Sequence, residues 1–305
     1  MDAKAGALRR PDPCQLTCTL LAPVYGKLSR FGRASGRSKR AKPLLCQQAA
    51  NEILRSITRR QIIAVPGEVL IATAAISSAG RETSTGYQSI SEAITAAADG
   101  TVINIGPGIY RERLIFEGAS ITLQASPKGS DVLISHETDK PYEATVYATS
   151  GACTLRGLRI AHRSPSVANN YAVFSQGASL TLEDCDVTST SGAGVGLEGG
   201  QLEVSRCRIH NCKQHGIALF KGLDGQDGNA NVRDTAVFDN GLDGILVKDG
   251  ARLEADSVRA EHNAGHGFNL SSGTGALTNC LSGNNARGSI LLGDDFELDR
   301  PSASN

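Results

Sequence analysis

Four polar residues stand at near-regular intervals, each immediately before a glycine: His215-Gly216, Asp243-Gly244, His266-Gly267 and Arg287-Gly288. A carboxylate between two imidazoles can orient one of them as a general base, because imidazole changes charge near neutral pH and the carboxylate fixes its tautomer. For that chemistry His215, Asp243 and His266 must come within hydrogen-bond reach although more than twenty residues separate each from the next. A chain coiled into stacked turns ~4.8 Å apart would line them up on one face, with Arg287 beyond. The bland alternative is a solvated polar turn position, where any hydrophilic residue serves.

A second cluster, Asp224, Asp227, Asn229 and Asn231, alternates oxygen-bearing side chains in a way that suits Ca²⁺. A helix-loop-helix calcium loop starting at Asp227 would need Gly at its sixth position and Glu at its twelfth, where this chain has Val232 and Phe238. A Gly/Asp-rich turn accounts for the cluster better. The eight Cys form no Cys-x-x-Cys pair and no His/Cys group at zinc spacing. No metal and no cofactor is expected.

The elements that would position these residues form an internal repeat. Six segments share a register when anchored at Leu158, Cys185, Cys207, Thr235, Val258 and Cys280, with spacings of 27, 22, 28, 23 and 22. Apolar or small residues stand three and five positions before the anchors, such as Leu182/Leu180 and Val204/Leu202, which is inward strand alternation. Five positions after four of the anchors come Cys212, Asn240, Asn263 and Asn285, an Asn ladder suited to bonding along a stack of turns. Eight or nine positions after the anchors comes a Gly, then apolar pairs: Val195/Leu197, Ile217/Leu219, Ile245/Val247 and Phe268/Leu270. The first members, Val195, Ile217, Ile245 and Phe268, are expected to stack as one core ladder. The two long spacings mark inserted loops, Ser164–Asn170 and Gly222–Gly228, at different corners of the turn. Cys185 and Cys207 read as buried ladder residues on adjacent coils, close enough to test for a disulfide in an oxidising compartment.

Ahead of the repeat, Ser89-Ile90-Ser91-Glu92 is a capping box, and a short helix is expected through Ala98 with Ile90 and Ile94 on its apolar side. Laid across the first coil, it would cover the exposed end of the stack. The run from Tyr87 through Asp99-Gly100 to Gly106-Pro107-Gly108-Ile109-Tyr110-Arg111-Glu112 resembles the opening of pectin-lyase-like β-helix proteins, such as pectinesterases, NosD-type periplasmic proteins and the β-helix region of F-box substrate adaptors. Repeat and resemblance together predict an all-β fold, a right-handed parallel β-helix over residues 80–294 with a short N-terminal capping helix. The remaining residues, 295–305, are expected to be a disordered tail. The resemblance does not extend to catalytic motifs. The Asp-Phe-Ile-Phe-Gly motif of pectinesterases, the Asn-Thr-Asp and Arg-Ile-Lys motifs of polygalacturonases and the Asp-Pro-His-Glu motif of alginate epimerases are all missing, and no F-box precedes the repeat.

Composition agrees with a solenoid: 34 Gly, no Trp and 4% aromatic residues suit a core of thin aliphatic layers. The formal net charge of zero hides an asymmetry, because residues 1–60 hold 13 Lys/Arg against Asp2, Asp12 and Glu52, or +10, which leaves −10 for the rest. An acidic body argues against nucleic acid as a partner. Residues 1–79 are expected to be a basic, mostly disordered targeting leader. Arg30, Arg33, Arg37, Lys39 and Arg40 resemble a transit peptide, and Arg59-Arg60 followed by the apolar run Val69–Ile76 resembles a twin-arginine signal. Together they point to a plastid, with the thylakoid lumen as the further address; a basic tail on a cytoplasmic or nuclear protein is the alternative. That apolar run is too short to span a membrane. The preferred function is a non-catalytic binding or scaffold module that presents a polar solenoid face to a polysaccharide or protein. The rival is a carbohydrate-active enzyme (lyase, hydrolase or epimerase) using the His215/Asp243/His266 column.

Overall fold

The computed structural model describes residues 68–71, 87, 89–166 and 170–299. Every coil carries up to three short strands, and each strand pairs in parallel with its equivalent in the next coil, as Leu180 does with Leu202 and Leu202 with Ala230. The chain is therefore a parallel β-helix with three faces. The first face includes Ser179–Glu183 and Gly200–Ser205, the second Asp186–Ser189 and Arg208–His210, the third Val195–Glu198 and Ile217–Phe220. The first and third faces join through the long strand His266–Thr278 into one 16-stranded sheet, while the second is a separate 8-stranded sheet.

The repeat dictates this arrangement through its inward residues. Val195 pairs with Ile217, Ile217 with Ile245, and Ile245 with Phe268, and all four are buried in one core ladder. The anchor column holds as well: each residue after an anchor donates its N–H to the preceding anchor's carbonyl, from Asp186 on Leu158 to Leu281 on Val258. Cys185 and Cys207 are free, buried ladder residues, and the Cys185 N–H points at the Cys207 Sγ at 3.4 Å. The Asn ladder closes the corner between the second and third faces. Asn240 donates its backbone N–H (3.2 Å) and its side-chain amide (2.9 Å) to Asn263 Oδ1, and Asn263 repeats both bonds to Asn285. An amide side chain suits this position because one group supplies the donors and acceptor that the turn leaves unpaired.

The capping helix α1, Ile90–Ala96, buries Ile90, Ala93 and Ile94, with Ser89 Oγ accepting the Glu92 N–H. Its N-terminus rests on Glu112, whose carboxylate accepts the N–H groups of Ile90 and Ser91, a favourable end for an anion on a helix. Two expected boundaries are corrected. Glu68–Ile71, placed in the leader, pairs in parallel with Thr101–Ile105, because a short apolar strand satisfies the open edge of the first face. At the other end, the strand Gly288–Leu298 runs past residue 294 into the expected tail, pairing with the preceding coil and burying Phe296. The transit signal, Arg59-Arg60 and the rest of the apolar run lie outside the described residues. No helix among the described residues is long and apolar enough to cross a membrane.

Candidate functional site

The third face carries the residues with chemistry. The Gly216 N–H donates to the Asp243 carbonyl and the Gly244 N–H to the His266 carbonyl, so His215, Asp243 and His266 occupy equivalent places on successive coils. Arg287 does not join them. His266 pairs with Gly288, and Gly288 therefore takes the column position, because this coil puts Ser289 where the earlier ones have glycine.

Asp243 lies between the two imidazoles. Its carboxylate stands 3.3 Å from Nδ1 of His215 and 3.3 Å from Nδ1 of His266. It also accepts the His266 backbone N–H at 2.7 Å and the Asn269 side-chain amide at 2.9 Å. The Asp243 N–H in turn points at His215 Nδ1 at 3.3 Å, so a neutral Nδ1 can accept that bond, whereas a protonated one donates to the carboxylate. Burial pushes this carboxyl up, but the bonds from His215, the His266 backbone and Asn269 outweigh it and hold the group far below the ordinary carboxylate range. Asp243 is only 6% exposed, so the column is not the solvated turn position that the bland reading supposed. It is a fixed anion that orients two rings through Nδ1, leaving each Nε2 to other partners.

The suspected calcium ligands are turned to separate neighbours. Asp224 accepts the Gln226 N–H, Asp227 faces Lys221 at 3.5 Å, and Asn231 accepts from the Arg233 guanidinium. Asn229 sits on the first-face strand Gly228–Arg233. No group of three or more His, Cys, Asp or Glu that could hold a metal occurs among the described residues.

A second feature of the third face went unread in the sequence. Tyr171 aligns with Ala193, and so stands in the same column as His215. Its ring stacks on Phe174 at 4.6 Å, and Phe174 stacks on Tyr147 at 5.8 Å with the planes 6° apart. The three rings line a cavity of about 250 Å³ together with Arg113, Tyr142, Glu143, Gln176 and Glu198. Gly196 makes the stacking possible: a Cβ there would lie 2.6 Å from Tyr171 Cε1 and 2.8 Å from Phe174 Cδ2. The Tyr147 hydroxyl donates to Gln176 Oε1 at 2.7 Å. Burial raises the pKa of Tyr147 and Tyr171, so both phenols stay neutral. Glu143 is held below the ordinary range, first by its bond to His136.

The two inserted loops bracket this face. The described ends of the first insert, Ser164–Ser166 and Asn170, lie on the border with the second face, and Gly222–Gly228 lies on the border with the first. Asn170 ties the first insert to the neighbouring turn by accepting the Glu143 N–H at 3.1 Å. The clue available in the sequence was the 22-residue step linking Tyr171, Ala193 and His215, and likewise Phe174, Gly196 and Ala218.

The profile described as a right handed beta helix region matches residues 144–299, about half of the chain. The chain belongs to the right-handed β-helix family. Among solved structures, this β-helix is similar to pectate lyase Pel9A at 16% identity and a TM-score of 0.55, over 73% of this chain and 67% of that one. It is also similar to the pectin methylesterase from Aspergillus niger, at 15% identity and a TM-score of 0.53, over 79% and 88% of the respective chains. At these identities the likeness is one of fold. No curated protein matches the β-helix.

Proposed function

We propose that this β-helix is a polysaccharide-binding module that holds an extended glycan against its third face without cleaving it. The observation that carries the reading is the cavity in which the rings of Tyr147, Phe174 and Tyr171 lie stacked beside Arg113, Glu143 and Glu198. Flat aromatic faces receive the flat C–H face of a sugar ring, and a few polar groups at their rim fix its orientation. The His215/Asp243/His266 column continues the same face for ~10–20 Å beyond Tyr171, at one coil per residue. Support for a fold-level link to carbohydrate comes from the pectate lyase and pectin methylesterase, whose folds this chain resembles. The absence of the pectinesterase, polygalacturonase and alginate epimerase motifs from the sequence supports binding without turnover.

A second reading has its own observation. A carboxylate held low in pKa at Asp243, between two imidazoles, is suited to hold one as a general base, which would make the column a catalytic centre. One experiment covers both. Retention of the protein on immobilised polysaccharides is measured alongside release of reducing or unsaturated ends. Retention that Tyr171→Ala abolishes, with no new ends, supports the binding module. Release of ends that Asp243→Ala abolishes supports the enzyme.

A further inference from the structure

Resting on the reading of the third face as a glycan site, we infer that its ligand is an uncharged, hydroxyl-rich glycan and not a polyuronate. The cavity holds two carboxylates, Glu143 and Glu198, and one cation, Arg113, a net of −1. Arg113 stands 3.6 Å from Glu143, so its charge is already answered. On the same face Asp243 adds a further fixed anion, and on the bordering loop Lys221 is matched by Asp227. A chain of uronates carries one carboxylate per sugar and would meet this field at every step, with a repulsion that low-dielectric walls strengthen.

Two buried atoms say what the site lacks. Glu198 Oε1 is an acceptor and Arg113 Nε a donor, and neither has a partner within the protein. Buried polar atoms are rarely left so, and each such orphan carries a desolvation cost that a ligand can remove. A ligand that meets both must donate to Glu198 Oε1 and accept from Arg113 Nε. A carboxylate only accepts and an ammonium only donates, whereas a hydroxyl does both. The terminal torsion of a glutamate is broad, so a modest rotation presents Oε1 to the cavity. Glu198 also lines the small neighbouring hollow formed with Gly222, Leu223, Asp224 and Gln226 of the inserted loop, so it stands between the aromatic platform and the rest of the face. At the outer rim Tyr142 is 70% exposed and held at φ 58°, a strained conformation for a bulky residue. It offers a further aromatic surface at the mouth of the cavity.

The test is affinity electrophoresis of the full chain through gels containing xyloglucan, polygalacturonate or chitosan. The expected result is retardation by xyloglucan, weaker retardation by chitosan and none by polygalacturonate. Glu198→Leu should weaken xyloglucan binding about tenfold, the loss of one good hydrogen bond, while Glu198→Gln retains most of it and lowers the barrier to polygalacturonate. Polygalacturonate binding by the native protein that Tyr171→Ala removes would overturn the ligand class and keep the site. Chitosan binding stronger than xyloglucan binding would also overturn the class. Failure of all three polymers to show Tyr171-dependent retardation would remove the site reading, and this inference with it.

Discussion

The Tyr171 ring lies against Gly196, with Cε1 and Cδ1 only 2.6 and 2.7 Å from where a Cβ would stand. A single methyl group at residue 196 must tilt the Tyr171 and Phe174 rings out of their stack. Gly196→Ala is therefore expected to cost ~1–3 kcal/mol of stability, as overpacking usually does. It should also reduce glycan retention by at least tenfold, because the sugar platform loses its plane. Paired urea unfolding and affinity electrophoresis measure the two together. Full retention in a destabilised Gly196→Ala protein would mean that the rings do not contact the ligand.

The Asn ladder gives a prediction about the fold alone. Asn263 Oδ1 accepts two bonds from Asn240, and its Nδ2 donates to the Val237 carbonyl at 3.2 Å and to Asn285 at 2.9 Å. Asn263→Ala leaves several of these groups buried and unpaired, each at ~1–3 kcal/mol. A loss of about 3 kcal/mol in urea unfolding is expected. Asn285→Ala should cost less, because Asn285 is only partly buried, at the last full turn. Equal costs at the two positions would show that burial does not govern the ladder.

His162 sets a pH dependence. It is fully buried, touches Thr145 Oγ1 at 3.2 Å through Nδ1, and has no partner at Nε2. Burial, helped by nearby His136, pushes its pKa down to about 4 from the ordinary 6.5. Between these values the unfolded chain binds the proton and the folded chain does not, so stability falls as pH drops from 6.5 towards 4 and levels off below. The shift corresponds to about 3 kcal/mol. Unfolding at pH 7, 5.5 and 4 should show this decline, and His162→Leu should flatten it. A native slope that persists unchanged in His162→Leu would assign it to another group.

The core was legible in the sequence because every coil must bring a small apolar residue to the same inward place, and Leu158, Cys185, Cys207 and Val258 do so. The Asn ladder was legible for the same reason, one turn chemistry repeated at one offset. Arg287 was placed one step wrong because glycine marked the register, and the last coil has Ser289 where that glycine belongs. The aromatic cavity escaped notice because the insert before Tyr171 interrupts the spacing there, and because the column shared by Tyr147 and Phe174 continues as Gly196, with no further ring to mark it. Glu68–Ile71 could not be separated from a signal sequence, since a short apolar run serves a strand edge as well as a targeting segment. The end of the last strand was likewise hidden: Ile290 pairs with Phe268 but is half exposed, outside the core ladder, and Asp295 and Glu297 beyond it read as a polar tail.

Asp243 decides between the two readings of the polar column. Its carboxylate satisfies the His266 backbone N–H and the Asn269 amide and faces both imidazoles. Asp243→Ala would strand those donors, and a loss of about 1–3 kcal/mol is expected whatever the column does. Stability therefore cannot discriminate, and a variant that keeps the side chain's shape, read by turnover and retention, is needed. Asp243→Asn retains the shape and one acceptor oxygen but removes the charge that orders the two Nδ1 atoms. If the column only extends a binding face, Asp243→Asn should leave glycan retention within a few fold and there should be no turnover to lose. If it holds a general base, native protein should release polysaccharide ends in a pH-dependent way, and Asp243→Asn should lower that rate by orders of magnitude at unchanged retention. A turnover that survives Asp243→Asn would place the chemistry elsewhere on the third face, with Glu143 and Glu198 the carboxylates left to test.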